Sequence, residues 1–334
     1  MLRQTKTSRV LLLALPAMVA LALALLSLLA GPASLSPQEI LAAFTDNGDP
    51  VIRAILIELR LPRALLALMV GSALGLSGAV LQGYLRNPLA DASVLGTANA
   101  GALGAIIAFY FGLYAAFPPA LPLLAIGFAL LGLLPLMLLA RRSENPVSLI
   151  LAGIAIGTLA GAGISLTLNL SPNPFAAMEI MSWLMGSLED RSFDHVLIAL
   201  PFLLPGMALM LWDGRRLDAL ILGEDSARAM GVDMARLRLR LVIGVALAVG
   251  AAVAVSGAIG FVGLVVPHLV RPFTDRSPSA ILLPSALAGA ALLVAADLAV
   301  RLIPATNELK LGVITAFLGT PVFLYHLIRA RRIW

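Results

Sequence analysis

The sequence contains no cysteine. Without a thiol, the chain cannot form a disulfide bond, a thiolate metal site or a cysteine nucleophile. Lysine is almost as rare, because only Lys6 and Lys310 occur, and neither follows the glycine pattern of a phosphate-binding loop. The chain therefore lacks that loop as a means of hydrolysing ATP itself.

The sequence also lacks the motifs of the common hydrolases. Its three histidines, His195, His268 and His326, lie far apart without an HExxH pairing, and no GxSxG motif occurs. These absences exclude the usual zinc-protease and serine-hydrolase arrangements. We predict that the chain is not an enzyme and has no catalytic residue, cofactor site or metal site of its own.

Charged residues are scarce. Only 12% of the residues are charged and 60% are hydrophobic, with a mean hydropathy of +0.99, whereas about a quarter of the residues in a soluble protein are charged. This composition predicts an all-α polytopic membrane protein in a lipid bilayer. The net charge of +5 does not indicate a nucleic-acid partner, because the basic residues cluster beside apolar runs, where they orient a chain in the membrane.

Long apolar runs predict about ten transmembrane helices in a single domain, residues 1–334. The first run, about 21 residues, is longer than that of a signal peptide and suffices to cross about 30 Å of hydrocarbon, so we expect it to be retained. A long run near Gly257 and Gly260 is expected to break into one full span and one short span. The predicted spans are 10–30, 63–83, 95–112, 120–140, 147–170, 193–212, 241–261, 263–274, 281–303 and 311–328.

The distribution of basic residues predicts the orientation of the chain. With the N-terminus inside, 17 Lys and Arg residues fall in cytoplasmic segments and six fall outside. Basic residues accumulate in cytoplasmic loops. The asymmetry therefore places the polar segment 213–240 in the cytoplasm.

Segment 213–240 is the most polar part of the chain and holds 11 of the 41 Asp, Glu, Lys and Arg residues. An acidic pair, Glu224 and Asp225, suits the positive N-terminal end of a short helix. We predict a docking helix for an ATPase on a different chain, and the alternative is a solvated loop between two spans. Three small residues spaced four apart would give this helix one smooth side, and the last would end it: Gly223, Ala227 and Gly231.

Small residues recur at helical spacing in the apolar runs and predict close contacts between membrane helices. A set of five residues recurs after a displacement of 179 positions. Because the topology inverts the second copy, we predict an internal inverted repeat of the kind found in transporters. The pairs are Gly71 and Gly250, Ser77 and Ser256, Gly78 and Gly257, Ala79 and Ala258, and Pro88 and Pro267.

One acid, Asp297, falls inside a predicted span, with Arg301 four residues later on the same helical face. A charge in the membrane costs about 3 kcal/mol or more and is usually paired or functional. An internal ion pair is one interpretation. The other is an ion-gradient-driven secondary transporter or channel without an ATPase, which would need such an acid.

Several longer blocks of sequence carry a resemblance to one family. They are RLPRALLALMVGSALGLSGAVLQGYLRNPLAD (60–91), the GSL after Trp183, LGEDSARAMGV (222–232), SGAIGFVGLVVPHLVR (256–271), AADLAVRL (295–302) and ELKLGVITAFLGTPVF (308–323). From about residue 55 to the C-terminus, the chain is similar to the FecCD family. Its members are the permease subunits of bacterial ABC importers for ferric siderophores, haem and cobalamin.

The resemblance implies the fold of a type II ABC importer permease, a ten-helix subunit of the bacterial inner membrane that works as a homodimer. It also implies two cytoplasmic ABC ATPase subunits, which would bind ATP and Mg²⁺, and a periplasmic substrate-binding protein. The implied function is ATP-driven import of an iron chelate (siderophore or haem) or cobalamin from periplasm to cytoplasm.

The resemblance also implies roles for individual residues. The ATPase-coupling contact would comprise Gly223, Glu224, Ala227, Arg228 and Gly231. Docking of the binding protein would use Arg60, Arg63 and Arg301, which would face the periplasm and pair with its carboxylates. For Arg301, this role competes with the internal pair to Asp297. Lys310 and Ala92 depart from the family, which usually has proline at both positions.

Overall fold

The computed structural model describes residues 6–31, 35–43, 45, 49–142, 146–303 and 308–330. Every regular element in these ranges is a helix, which confirms the predicted all-α class. Backbone N–H and C=O groups in a bilayer must find their partners within the protein, and helices satisfy them locally.

The main helices follow the predicted apolar runs. Their bounds are α1 Lys6–Leu29, α2 Leu61–Tyr84, α3 Thr97–Tyr110, α4 Ala120–Leu131 with its continuation Leu133–Arg142, α5 Pro146–Asn169, α6 Phe193–Trp212, α7 Met234–Ser256, α8 Val262–Val270, α9 Pro278–Leu302 and α10 Leu311–Ala330. Shorter helices connect them: Pro37–Ala43, Pro50–Ala54, the π-helix Ile55–Arg60 that runs into α2, Ala92–Leu95, Leu113–Ala116, Pro174–Leu184, Gly214–Ala219, Leu220–Leu222, Glu224–Ala229 and Arg271–Phe273.

Seven stretches of the described residues are long and apolar enough to cross a membrane. They lie in α1, in α2 with the turns before it, and in α4, α5, α6, α7 and α9. The apolar parts of α3, α8 and α10 are shorter than the roughly 20 residues of a full crossing. The chain is a multi-pass membrane protein, and the count of ten spans remains a prediction.

The long apolar run after the polar segment breaks where the sequence predicts. Helix α7 ends at Ser256, and Gly257 has a φ of +69°, a left-handed conformation that glycine adopts without steric cost. Helix α8 then begins at Val262. At the break, the amide of Ser187 donates to the carbonyl of Ser256 over 2.8 Å, so the freed backbone oxygen has a partner.

Helix α2 packs against α8 and α9 through backbone-to-backbone contacts. A Cβ atom added to Gly71 would lie 2.4 Å from the carbonyl oxygen of Gly289 in α9. A Cβ added to Gly78 would lie only 1.8 Å from the carbonyl oxygen of Gly263 in α8. These distances leave no room for a side chain, which confirms the predicted role of small residues in helix contacts.

The proposed sequence repeat does not extend to identical local structure. Gly78 lies inside α2, whereas its counterpart Gly257 follows the end of α7 with a positive φ. The internal inverted repeat therefore remains a prediction from sequence.

Candidate functional site

Polar side chains gather at two ends of the helical bundle. The inner end comprises segment 213–240 with the end of α2 and the starts of α7 and α9, and the outer end comprises the start of α2 and the end of α9. Helix α9 joins the two ends and has 25 residues, which corresponds to about 37 Å. Because this length exceeds the roughly 30 Å hydrocarbon core, each end can lie at a membrane surface.

The inner end is organised around Asp213, the residue that follows α6. Its carboxylate is fully buried and accepts two hydrogen bonds from Arg240, at 2.7 Å from Nε and 2.9 Å from Nη2. Arg216 pairs with the same carboxylate. Because Asp213 and Arg240 are the first and last residues of the segment, their hydrogen bonds hold its two ends together.

The segment is also tied to the membrane helices. The carboxylate of Asp218 accepts hydrogen bonds from the amide and the hydroxyl of Ser279, at 2.8 and 2.5 Å, at the start of α9. Arg238 Nε donates to the hydroxyl of Tyr84, at the end of α2, over 2.8 Å. The segment is therefore a folded helical unit that binds α2 and α9 through side chains and continues into α7, and docking of an ATPase on it remains a prediction.

The short helix predicted within the segment forms at Glu224–Ala229, and we call it the coupling helix after the role predicted for it. Gly223 before it and Gly231 after it have positive φ angles of 98° and 85°, so both ends require glycine. The guanidinium of Arg228 lies 3.6 Å from the carboxylate of Glu224 and 3.5 Å from that of Asp225. Both acids lie in the first turn, where the helix dipole favours them.

The prediction that Ala227 belongs to a smooth side on which a partner rests is wrong. This residue is 0% exposed because the helix turns it onto its own chain, so a partner cannot touch it. Space remains open around the flanking glycines, since a Cβ at Gly223 or Gly231 would meet no atom within 4 Å. The exposed apolar side chains beside them are those of Leu222 (67% exposed) and Met230 (64%).

The outer end contains a cluster of buried charges. Arg63 Nε donates to both oxygens of Asp297, at 2.9 and 3.2 Å, and its Nη atoms bind the carboxylate of Glu308. Arg301 Nη2 lies 3.1 Å from the other side of Asp297. Asp297, with 1% exposure, thus lies between two guanidinium groups, as a carboxylate buried at this depth requires.

Two arginines of the outer end also hold the end of α1. Arg60 Nη1 donates to the carbonyls of Leu28 and Leu29, at 2.7 and 3.0 Å. Arg301 Nη1 donates to the carbonyls of Ser27 and Ala30, at 3.0 and 3.1 Å. The last carbonyls of a helix have no partner within it, so the two arginines close the C-terminal end of α1.

The three arginines predicted for docking are engaged within the chain. Arg63 has a side-chain exposure of 12% and Arg301 of 4%, and Arg60 is buried. Of the two alternatives for Arg301, the structure shows the internal pair with Asp297. Docking by Arg60 and Arg63 remains a prediction, and in this conformation both guanidinium groups have acceptors within the chain.

A cavity of about 520 Å³ lies above this cluster and is lined by all three arginines together with Glu189, Asp190, Arg191 and Glu308. Arg191 donates to the carbonyl of Val255 over 2.7 Å. Burial lowers the pKa of its guanidinium, and the nearby charges of Asp190 and Glu189 oppose that shift. Lys310 extends the polar surface, because its Nζ lies 3.2 Å from the carboxylate of Glu189.

The second departure from the family has a structural role. Ala92 begins the helix Ala92–Leu95, and its amide donates to Asp91 Oδ1 over 2.7 Å. A proline at this position would have no N–H to donate. The side chain of Asp91 packs directly on Gly263, where an added Cβ would lie 2.3 Å from Oδ1.

Sequence reasoning missed two features. The pairing of Asp213 with Arg240 has no local signal, because the residues are 27 positions apart. The helix Pro174–Leu184 does have one, since Asn173 caps it by accepting from the amide of Ala176 over 2.9 Å and proline is its first residue.

The family model for the FecCD transport family matches residues 19–329. The chain is 39% identical over 314 residues to the vitamin B12 import system permease protein BtuC of Vibrio vulnificus, with 93% of this chain and 92% of the relative covered. It is 38% identical over 285 residues to the hemin transport system permease protein HmuU of Yersinia pestis, with 83% and 84% covered.

Among solved structures, an inward-facing conformation of a metal-chelate type ABC transporter is similar over 95% of this chain and 98% of that chain. The TM-score is 0.85 and the sequence identity is 33%. The agreement thus extends over nearly the whole fold. The chain belongs to the FecCD transport family.

Proposed function

We propose that the chain is the permease subunit of an ATP-driven importer that moves an iron chelate (siderophore or haem) or cobalamin from periplasm to cytoplasm across a bacterial inner membrane. The relatives named for vitamin B12 and hemin import support this class of cargo. The observation that carries the proposal is the folded inner-end segment, which binds α2 and α9 by side chains and leads directly into α7.

The partner ATPase docks on the coupling helix. Leu222 and Met230 are exposed apolar side chains next to Gly223 and Gly231, and the open space at these glycines lets a partner approach the backbone. ATP and Mg²⁺ belong to that partner chain. Motion of the docked helix would pass to α7 through the backbone and to α9 through the bond between Asp218 and Ser279.

A second copy of the chain would complete the transport path. Helices α5 and α10 leave large apolar side chains exposed, including Leu159, Leu166 and Phe317. In α5, Gly161 has no atom within 4 Å of its Cβ position, so another helix can pack closely there. A homodimer that joins these faces would enclose a path lined by small and apolar residues.

The periplasmic binding protein docks at the outer end. The arginines that line the cavity there, Arg60, Arg63, Arg191 and Arg301, outnumber its acids, Glu189, Asp190 and Glu308. Carboxylates of a docked protein would compete with the internal acceptors for Arg60, Arg63 and Arg301. Docking therefore requires an exchange of partners.

The alternative of an ion-gradient-driven carrier is not favoured. The acid that it would use, Asp297, is held between Arg63 and Arg301. A carboxylate engaged by two arginines belongs to an internal ion-pair cluster rather than to an ion pathway.

Uptake by proteoliposomes tests the proposal. The chain would be reconstituted with its cognate ATPase and binding protein, with cyanocobalamin, haemin or a ferric siderophore as cargo. We expect uptake of at least one cargo that depends on ATP, and none in liposomes that contain the chain alone under an ion gradient. Gradient-driven uptake by the chain alone would contradict the proposal.

A variant in segment 213–240 tests the docking surface for the ATPase in the same assay. Met230→Asp places a charge on the exposed apolar surface, and we expect it to abolish both uptake and copurification of the ATPase. Met230→Leu keeps the apolar contact and is the matched control. Copurification that is unchanged in Met230→Asp would show that the ATPase docks elsewhere.

A further inference from the structure

A second cavity, of about 310 Å³, lies at the inner end between the end of α2, the end of α8 and the start of α9. Three arginines line it, Arg86, Arg271 and Arg276, and none of the described residues that line it is acidic. We infer that this cavity binds a phosphate group at the inner membrane surface.

Arg271 is held in position by its neighbours but keeps an unused donor. Its Nη2 donates to Gln82 Oε1 over 2.9 Å. The amide of Gln82 cannot turn away, because its Nε2 donates to the carbonyls of Gly263 and Leu264 at 3.3 and 3.2 Å. Arg271 Nε is buried and has no hydrogen-bond partner among the described residues, so the side chain lacks an acceptor that a bound anion would supply.

The other two arginines are accessible cations. Arg86 and Arg276 are exposed, and in the part of the chain that the structure describes neither guanidinium has an acidic partner. Asp275 is next to Arg276 in sequence, but its carboxylate accepts from the amide and the hydroxyl of Ser277, at 3.0 and 2.7 Å. Three positive charges therefore line one small cavity, and no carboxylate of the described residues lies in its wall.

The backbone at two of these arginines is unusual. Arg86 has a φ of 48° and Arg276 a φ of 66°, and they are two of only four non-glycine residues with positive φ among the described residues. This conformation disfavours a side chain with a Cβ, and glycine or asparagine usually occupies it. Arginine at both positions indicates that the side chain itself is needed.

A phosphate group fits the chemistry of the cavity. Its ionised oxygens accept paired hydrogen bonds from guanidinium groups, which present planar, fixed donors. The cavity also lies at helix ends, because Gln82 is in the last turn of α2 and Arg271 directly follows α8, and in the predicted orientation these ends face the cytoplasm. Basic pockets between membrane helices on the cytoplasmic side bind anionic lipid headgroups. The phosphate comes either from such a lipid or from free inorganic phosphate.

Native mass spectrometry of the full-length chain in detergent tests the inference and separates the two sources. The probes are phosphatidylglycerol, phosphatidylcholine and inorganic phosphate. The test variant combines Arg86→Gln with Arg276→Gln. The control is Arg236→Gln in segment 213–240, because Arg236 is also exposed but pairs with Asp233. Because two charge-assisted contacts are lost, we expect phosphate-group binding about tenfold or more weaker in the double variant and unchanged in the control.

The pattern across the probes decides the source. Retention of phosphatidylglycerol that inorganic phosphate displaces identifies a lipid headgroup site, whereas binding of inorganic phosphate alone identifies a free-anion site. Both outcomes support the inference. The unfolding temperature of the double variant should equal that of the natural chain, which would verify that the variant is folded.

Two results would overturn the inference. One is equal binding of every probe by the natural chain, the double variant and the control. The other is loss of ATPase copurification in the double variant with probe binding unchanged, which would show that the arginines contact acidic residues of the ATPase. As a further check, Arg276→Lys keeps the charge but loses the fork of donors, and it should bind phosphate with intermediate strength.

Discussion

Asp297 is the residue whose buried carboxylate connects the helices of the outer end. It joins Arg63 of α2 to Arg301 of α9, and these two arginines reach in turn to Glu308 and to the end of α1. Removing one partner from a buried ion pair leaves an uncompensated charge. At this site two guanidinium groups would be left with a single remaining carboxylate, that of Glu308.

Asp297→Asn should therefore destabilise the chain by about 3 kcal/mol, the cost of breaking a buried pair. The measurement is thermal unfolding of the purified chain in detergent, in which the variant should unfold at a clearly lower temperature. Asp225→Asn removes a fully exposed carboxylate and is the control. An Asp297→Asn variant as stable as the control would mean that the cluster contributes no net stability.

At the scale of helices, the contact between α2 and α8 leaves the least room for a side chain among the glycines that the structure describes. The Cβ position of Gly78 lies 1.8 Å from a backbone oxygen of Gly263, and Gly263 itself faces Asp91 and the backbone of Leu74. A backbone atom cannot move aside as a flexible side chain can. Larger residues here would separate the two helices.

Gly78→Ala should accordingly prevent stable folding or strongly lower the unfolding temperature. Gly127→Ala is the matched control, because Gly127 also lies within a helix but has no atom within 4 Å of its Cβ position. Alanine favours a helix over glycine by about 1 kcal/mol, so the control should be neutral or slightly stabilising. Similar stability of both variants would show that α2 and α8 can move apart at little cost.

The sequence was sufficient to predict the positions of the main helices, because an apolar run of about 20 residues has few alternatives to a membrane helix. It also predicted the break at Gly257 and the coupling helix. It could not predict which side of that helix faces a partner. A stripe of small residues such as that at Ala227 permits close packing on any surface, and here the surface is the chain itself.

The charged cluster of the outer end could be predicted from the sequence only in part. The pair of Asp297 and Arg301 was predictable because the residues lie four apart on one helix. The bonds from Arg63 to Asp297 and Glu308 join positions 234 and 245 residues apart. No local pattern encodes such distances, so these partners become visible only when α2 and α9 are placed side by side.

At the scale of the whole molecule, α2 and α9 connect the two polar ends. Helix α2 carries Arg63 at its outer end and Tyr84 at its inner end. Helix α9 carries Asp297 near its outer end and Ser279 at its inner end. The two helices touch along their length through Gly71 and its neighbours. An exchange of partners at the outer end would thus act on the same helices that hold the coupling segment.

Glu308→Gln tests whether the internal acids compete with a docked binding protein. The change removes one of the two carboxylates that hold Arg63, so more of its positive charge is available to a partner. We expect tighter binding of the cognate binding protein to the reconstituted permease, most clearly at low ionic strength, because charges at an exposed interface are screened by salt. Asp225→Asn is the control, since it removes a carboxylate at the inner end and leaves the outer cluster unchanged. Equal affinity of Glu308→Gln and the natural chain at every salt concentration would mean that Arg63 serves the internal cluster alone, and the docking surface would then have to be sought elsewhere on the outer end.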